Sequence, residues 1–327
     1  MSDQLSLFGE VEDGAGSPAR GVALAAHYAE AAVIAAALPS GVYLGTSSWS
    51  FPGWAGIVYS DNRPQSELAQ EGLREYARHP LLSTVGIDRS YYAPLPIPDL
   101  VAYASQLPDA FRCCIKAPAG VTALTLRDPG STPQQNPDFL SLDRLASDLL
   151  EPLAAAFSAH TGPIILEFPP FARGMRLEPA AFLDRLDPFL AGLPDQFDYA
   201  IELRDRTLLT EDYRQLLAAH GVAHTYNYWS AMPMPGDQAD VVPPEDLPFS
   251  VVRLLLKPGT WYEDQREAFR PFNRIIAPDE AMRRQVEQLA RRTLARGRKI
   301  YILVNNKAEG SSPLTVVELA KRLGKKA

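Results

Sequence analysis

The sequence predicts a single (β/α)8 barrel of the TIM type behind a short N-terminal tail. Three observations predict it. Short apolar runs alternate with helical patterns eight times in roughly 290 residues, the size of one closed barrel. Several of those runs are continuously apolar, as strands of a parallel sheet covered on both faces must be. An open doubly wound sheet usually marks its first turn with Gly-x-Gly-x-x-Gly, whereas the first run here passes into Gly45-Thr46-Ser47-Ser48-Trp49.

The totals agree. A chain of 327 residues, 46% hydrophobic, can bury a sizeable core. A net charge of −7 gives the whole protein no field that attracts nucleic acid or anionic lipid, although a local basic cleft stays open. The two cysteines, Cys113 and Cys114, are neighbours, a poor disulfide arrangement that fits a reducing cytoplasm. The apolar run 22–38 is interrupted by His27, Tyr28 and Glu30 with no basic segment before it. It is expected to be neither a leader nor a membrane span.

In chain order, residues 1–21 form a tail that contains Gln4-Leu5-Ser6-Leu7-Phe8 and then an acidic, glycine-rich run. That run lacks the apolar content to fold and is expected to be flexible. The pentapeptide resembles the one by which bacterial replication and repair proteins dock on the DNA sliding clamp. The resemblance makes Gln4, Leu5, Leu7 and Phe8 candidate partner-binding residues, with packing on the chain's own barrel as the alternative. An alanine-rich helix over 22–38 stops before Pro39 and opens the barrel domain, 22–327. Strands are predicted over 42–45, 84–88, 111–116, 163–168, 198–203, 222–226, 250–256 and 299–305, where β-branched and aromatic residues concentrate. Helices are predicted over 66–78, 97–106, 139–158, 179–190, 210–220 and 279–296. The sixth connection is rich in proline and only weakly helical. The last helix is expected to open with Ser312 as its cap and Pro313 as its first residue.

Barrels of this kind place their chemistry at the carboxyl ends of the strands. Those ends carry Ser47 and Trp49, Asp88 to Tyr92, Lys116, Glu167, Glu202 and Arg204, Tyr226 to Trp229, Arg253 and Lys257, and Asn305 to Lys307. Strand alternation puts Glu202 and Arg204 on one face, and Arg253 and Lys257 on one face. Glu202 and Arg253 are bracketed by apolar neighbours, so each needs a buried partner. Glu202 is therefore a candidate general acid or base, in competition with a purely structural ion-pair network. Lys116 suits a charge clamp, a proton donor, an imine-forming amine or a solvated rim lysine. Trp49, Trp54, Tyr91, Tyr92, Tyr226 and Trp229 suit the lining of a pocket or ordinary wall packing. Gly310-Ser311-Ser312-Pro313 could offer free N–H groups to an anion or simply cap a helix.

The five histidines have no zinc spacing, so no metal site is expected; magnesium on Asp88, Glu167 or Glu202 is the weak exception. Glu167 and Glu202 fall on neighbouring strands and strand seven offers Arg253, which disfavours a glycosidase pair across a cleft. The stretch 258–278 interleaves Trp261, Tyr262, Arg266, Phe269, Arg270, Phe272 and Arg274. It reads as a lid in preference to a single-strand nucleic-acid grip, because Glu263, Asp264 and Glu267 dilute its charge.

The strand ends also resemble a family. Gly45-Thr46-Ser47-Ser48-Trp49-Ser50-Phe51-Pro52-Gly53-Trp54 is similar to the opening Gly-Thr-Ser-x-Trp-x-Tyr/Phe-x-x-Trp of the YecE-like family, domain of unknown function seventy-two. Ser90-Tyr91-Tyr92, Ile115-Lys116-Ala117-Pro118, Phe168-Pro169-Pro170-Phe171, Ile201-Glu202-Leu203-Arg204, Val252-Arg253-Leu254 and Asn305-Asn306 fall where its later signatures fall. The resemblance implies a (β/α)8 barrel and no particular reaction. This chain departs from the pattern at Gly86 and Asp88 (for Glu-x-Asn), Ala123 (for His), Glu167 (for Gln) and Leu255-Leu256 (for His-Gly). Trp49, Tyr92, Lys116, Glu202, Arg204, Arg253, Asn305 and Asn306 match it.

Together these readings predict an enzyme, a hydrolase, lyase or isomerase of a small anionic or sugar-like molecule. Glu202, Lys116 and Asp88 are its candidate catalytic groups. Trp49, Tyr92, Glu167, Arg204, Arg253, Lys257, Asn305 and Asn306 are its candidate ligand contacts. The alternatives are a replication or repair accessory, or a nuclease, recruited through the tail, and a barrel that binds without catalysis.

Overall fold

The computed structural model of the protein describes residues 18–126, 132–172 and 174–325. Eight parallel strands close a barrel: β1 Val42–Thr46, β2 Thr84–Ile87, β3 Arg112–Lys116, β4 Thr161–Phe168, β5 Tyr199–Leu203, β6 Ala223–Tyr228, β7 Ser250–Leu254 and β8 Ile300–Val304. Each strand pairs with the next in sequence, and β8 closes on β1. All eight lie where the sequence places them. The largest differences, two residues each, are at the start of β4, which begins at Thr161, and at the ends of β6, which runs on to Tyr228, and β7, which stops at Leu254.

Strand alternation divides the core in two. Tyr43, Cys114, Ile165, Ala200, Ala223, Val251, Tyr301 and Leu303 pack together inside the barrel, with Phe249. Residues of opposite parity, such as Leu44, Val85, Ile115, Leu166, Ile201, Val252 and Ile302, join the larger core beneath the helices. Both faces are dry, which explains the unbroken apolar runs. Glycine appears where the lumen is tight. A Cβ on Gly45 would lie 1.9 Å from the Thr84 carbonyl oxygen, so β1 and β2 approach only because it is absent.

The helices depart more from expectation. The first spans Pro18–Ala36, starting and ending earlier than predicted, and its Tyr28 hydroxyl donates to the Val58 carbonyl at 2.8 Å. The single helix expected over 139–158 is three pieces: Leu142–Leu145, a wide π turn Ala146–Leu150, and Glu151–Ala156. Pro152 has no N–H to donate to the preceding turn, so a widened ladder there suits it. The stretch 66–78 divides into Gln65–Glu71 and Leu73–Tyr76. The proline-rich sixth connection does contain a helix, Pro235–Val241. Two short strands, Thr125–Leu126 and Gln134–Gln135, form an unpredicted antiparallel ribbon.

The last helix, Ser312–Leu323, is capped one residue earlier than expected: Ser311 is the N-cap and Pro313 lies second. Its end is not open to an anion. The Asn306 side-chain oxygen accepts from the Ser312 amide at 2.9 Å and from its hydroxyl at 2.8 Å. Asn306 therefore fills the place a bound anion would take.

Replacing Gly45 by alanine should lower unfolding stability by about 2–3 kcal/mol, since backbone and not a flexible side chain must move. Chemical denaturation measures the loss; an unchanged midpoint would mean that the two strands separate at little cost.

Candidate functional site

One turn above the lumen packing, the same inward parity that carries Cys114, Ile165, Ala200 and Val251 carries Lys116, Glu167, Glu202 and Arg253. Register sets Glu167 beside Glu202 on β4 and β5, and Asn227 beside Arg253 on β6 and β7. Acids and cations from β2, β3, β4, β5 and β7 thus meet at the carboxyl mouth.

Arg253 is the hub. Its Nη1 donates to Glu202 Oε2 at 2.7 Å and to Glu167 Oε2 at 3.4 Å. Its Nη2 donates to Asp88 Oδ2 at 2.6 Å, from the far side of the mouth. Arg204 Nη2 donates to Glu167 Oε2 at 2.7 Å and stands 2.6 Å from Glu202 Oε1. That second contact is ionic only, because Glu202 Oε1 has no hydrogen-bond donor in suitable geometry. Lys116 Nζ reaches Glu167 Oε2 at 2.8 Å. Three cations therefore face three carboxylates, and the cluster is neutral when all are ionised.

Burial makes that balance obligatory. Glu202 is wholly buried, and Arg253 is 1% exposed. Breaking one partner out of such a pair costs about 3–5 kcal/mol. Burial alone would raise the Glu167 carboxyl, but Arg204, Lys116 and Arg253 outweigh it and hold that carboxyl well below the usual range. Burial opposes the Arg253 charge, and Asp88, Glu202 and Glu167 more than restore it. Asp88 differs from the other two acids. Its side chain is 34% exposed, and Arg253 Nη2 holds one of its oxygens.

Aromatic rings cover the cations. Lys116 Nζ sits 3.7 Å from the Tyr91 ring centre, and the Arg204 guanidinium 4.2 Å from that of Trp229. Tyr92 packs edge-on to Tyr91 at 5.3 Å and is half exposed. Burial, Asp88 and Glu167 all oppose ionisation of its hydroxyl, in keeping with a place at this mouth. A cavity of about 320 Å³ lies at the other end of the barrel, lined by Ser158, Thr161, Asp195 and Asp198 at the starts of β4 and β5, away from this chemistry. In a barrel that end serves stability.

Among the candidate site residues, Asp88, Tyr92, Lys116, Glu167, Glu202, Arg204 and Arg253 come together. Trp49 does not join them: its indole N–H donates to the Leu68 carbonyl at 2.9 Å, in the layer between barrel and helices. Asn306 is turned toward the last helix and toward Trp54, whose indole N–H it accepts at 3.2 Å. Asn305 is half-buried and accepts from the Lys307 amide at 3.1 Å. Lys257 lies on the exposed rim, 3.1 Å from Asp279. Of the six aromatics, Tyr91, Tyr92 and Trp229 reach the mouth, while Trp49, Trp54 and Tyr226 are wall packing. The helix Tyr262–Phe269 occupies the stretch read as a lid. Beneath it is Lys307, which the sequence places only among the groups at the strand ends; its ammonium lies 4.3 Å from the Tyr262 ring. Among the described residues, no group of three or more His, Cys, Asp or Glu is arranged to hold a metal ion. Nor is any of their helices long and apolar enough to cross a membrane.

Fold and mouth define a closed parallel (β/α)8 barrel with its ionic groups gathered at the carboxyl ends of the strands. The chain belongs to the family described as Protein of unknown function DUF72, whose model matches residues 43–327. It is similar to the solved structure of a DUF72 family protein from Enterococcus faecalis, with TM-score 0.61 and 16% identity over 88% of this chain and 96% of that one. A DUF72 family protein from Thermotoga maritima gives TM-score 0.55 and 20% identity over 87% of this chain and 99% of that one. These similarities establish the fold alone. No curated protein matches the chain.

The depressed Glu167 carboxyl has a consequence for acid stability. A folded value below the ordinary 4.5 contributes stability that is complete above that value and is lost as pH falls below it. Glu167→Gln should be less stable than the parent at neutral pH, and the gap should narrow from about pH 6 to about pH 3. Urea unfolding across that range checks it; a gap independent of pH would mean that the Glu167 charge contributes nothing to folding.

Proposed function

We infer that the barrel mouth is the active site of an enzyme acting on a small anionic or sugar-like molecule, by hydrolysis, elimination or isomerisation. The observation that carries this reading is the buried, charge-balanced cluster itself. Replacing buried ion pairs by packed apolar groups is often neutral or stabilising, so packing alone gives no reason for six such groups at one mouth. Asp88 is the carboxylate with an exposed edge and is assigned the proton transfer. Lys116, Arg204 and Arg253 stabilise negative charge that develops on the substrate. Glu202, sealed beneath both arginines, holds their guanidinium groups in place and is a positioning residue.

Thermal denaturation with sugar phosphates, small carboxylates, neutral sugars and single-stranded DNA tests the ligand class. A true ligand at about 100 times its dissociation constant should stabilise the native chain by about 2.7 kcal/mol. With the best such ligand as substrate, Asp88→Asn should lower turnover by about 100-fold or more while the fold is kept. Stabilisation without any turnover in the parent would make the barrel a binding protein; stabilisation by DNA alone would favour a nuclease.

A second reading concerns recruitment. Gln4-Leu5-Ser6-Leu7-Phe8 resembles a sliding-clamp peptide, and it lies outside the described residues, so sequence alone supports it. Purified bacterial clamp should retain the full chain and release a variant lacking residues 4–8. Equal retention of both would remove the idea.

A further inference from the structure

Lys307 differs from every other cation at the mouth. It follows β8 on the short turn Asn306–Ala308 and is 6% exposed. Lys116, Arg204 and Arg253 each contact a carboxylate, and rim Lys257 pairs with Asp279. Among the described residues, Lys307 has no carboxylate within ion-pair distance; its charged end meets the Tyr262 ring. The charged groups that influence it, Arg266 and Glu263, both belong to the covering helix. Burial and the neighbouring Arg266 lower its ammonium to about 8, against the opposing pull of Glu263. A desolvated lysine beside a second cation is the environment that makes an amine nucleophilic near neutral pH.

The cover over Lys307 is weakly held. In the helix Tyr262–Phe269, Phe269 is the one buried residue, at the C-terminal end. Trp261, just before it, is 78% exposed. Gly259, at φ +79, takes a left-handed turn on that side. Segments with so few buried contacts open at low free-energy cost, and opening here lifts Tyr262 from the amine.

We propose that Lys307 is a covalent site of this mouth, forming an imine with the carbonyl group of a small anionic aldehyde or ketone. The proposal rests on the reading of the mouth as a ligand pocket and narrows its substrate class. The neutral amine attacks the carbonyl carbon. Both amine hydrogens then leave with the carbonyl oxygen as water, and a C=N bond remains. Lys116, fixed between Glu167 and Tyr91, keeps the separate task of holding charge.

The test uses the full chain with glyoxylate and cyanoborohydride near neutral pH, which turns an imine into a stable carboxymethyl-lysine located by peptide mass mapping. Near pH 7, an amine of pKa about 8 has roughly 200-fold more neutral form than an ordinary lysine. Burial and lower intrinsic nucleophilicity reduce that advantage, so Lys307 should be labelled about ten-fold faster than exposed Lys257. Lys307→Arg should abolish the adduct at that position while leaving the labelling of Lys257 unchanged. Labelling of Lys307 no faster than that of Lys257 overturns the proposal. If anions stabilise the chain against heat while Lys307 stays unlabelled, the pocket stands and the amine assignment falls. A labelled Lys307 in a chain that no anion stabilises keeps the amine and discards the anion pocket.

Discussion

The contact on which this structure depends is the reach of Arg253 across the barrel mouth. From β7 it holds Glu202 and Glu167 on one side and Asp88 on the other. Without it, three carboxylates would face only Lys116 and Arg204, and a buried negative charge would be left over. The requirement for neutrality among largely buried charges links β2, β3, β4, β5 and β7.

The rest of the barrel is built around that balance. Below it, glycine, alanine and cysteine at inward positions keep the lumen narrow, and Gly45 lets β1 lie close to β2. Above it, Tyr91 lies over Lys116 and Trp229 over Arg204, giving each positive group an attractive ring face. Outside it, a second buried charge, Glu309, is bound by Arg283 at 2.9 Å and by the Thr315 hydroxyl at 2.8 Å. That contact ties the helix Glu280–Ala295 to the last helix, so β8 ends in a fixed frame. The same frame sets the turn that carries Lys307.

Much of this was legible in the residues. Period-two alternation named the inward positions, and the two isolated charges, Glu202 and Arg253, had to be partners once both were seen to be flanked by apolar neighbours. They are 2.7 Å apart. The helical stretches were less legible. Pro152 and Gly72 interrupt patterns whose periodicity continues past them, and the sixth connection hides a helix among prolines. Trp49 and Asn306 misled for a different reason. Both stand at strand ends, but beyond the strand alternation no longer fixes direction, and both turn outward to satisfy backbone or cap atoms.

The sequence by itself determined the barrel, its strand order and the set of ionic groups at one end, because alternation and apolar runs are local properties that survive without knowledge of contacts. Only the tertiary structure decided which groups are partners, which carboxylate has an exposed edge and which lysine is left without one. Those outcomes depend on distances between strands far apart in the chain and on burial, and a charge changes its chemistry according to what lies within a few ångströms of it. Lys116 and Lys307 show the difference. One ends its strand, the other follows one, and both are buried, yet the first rests on a carboxylate and the second on a ring.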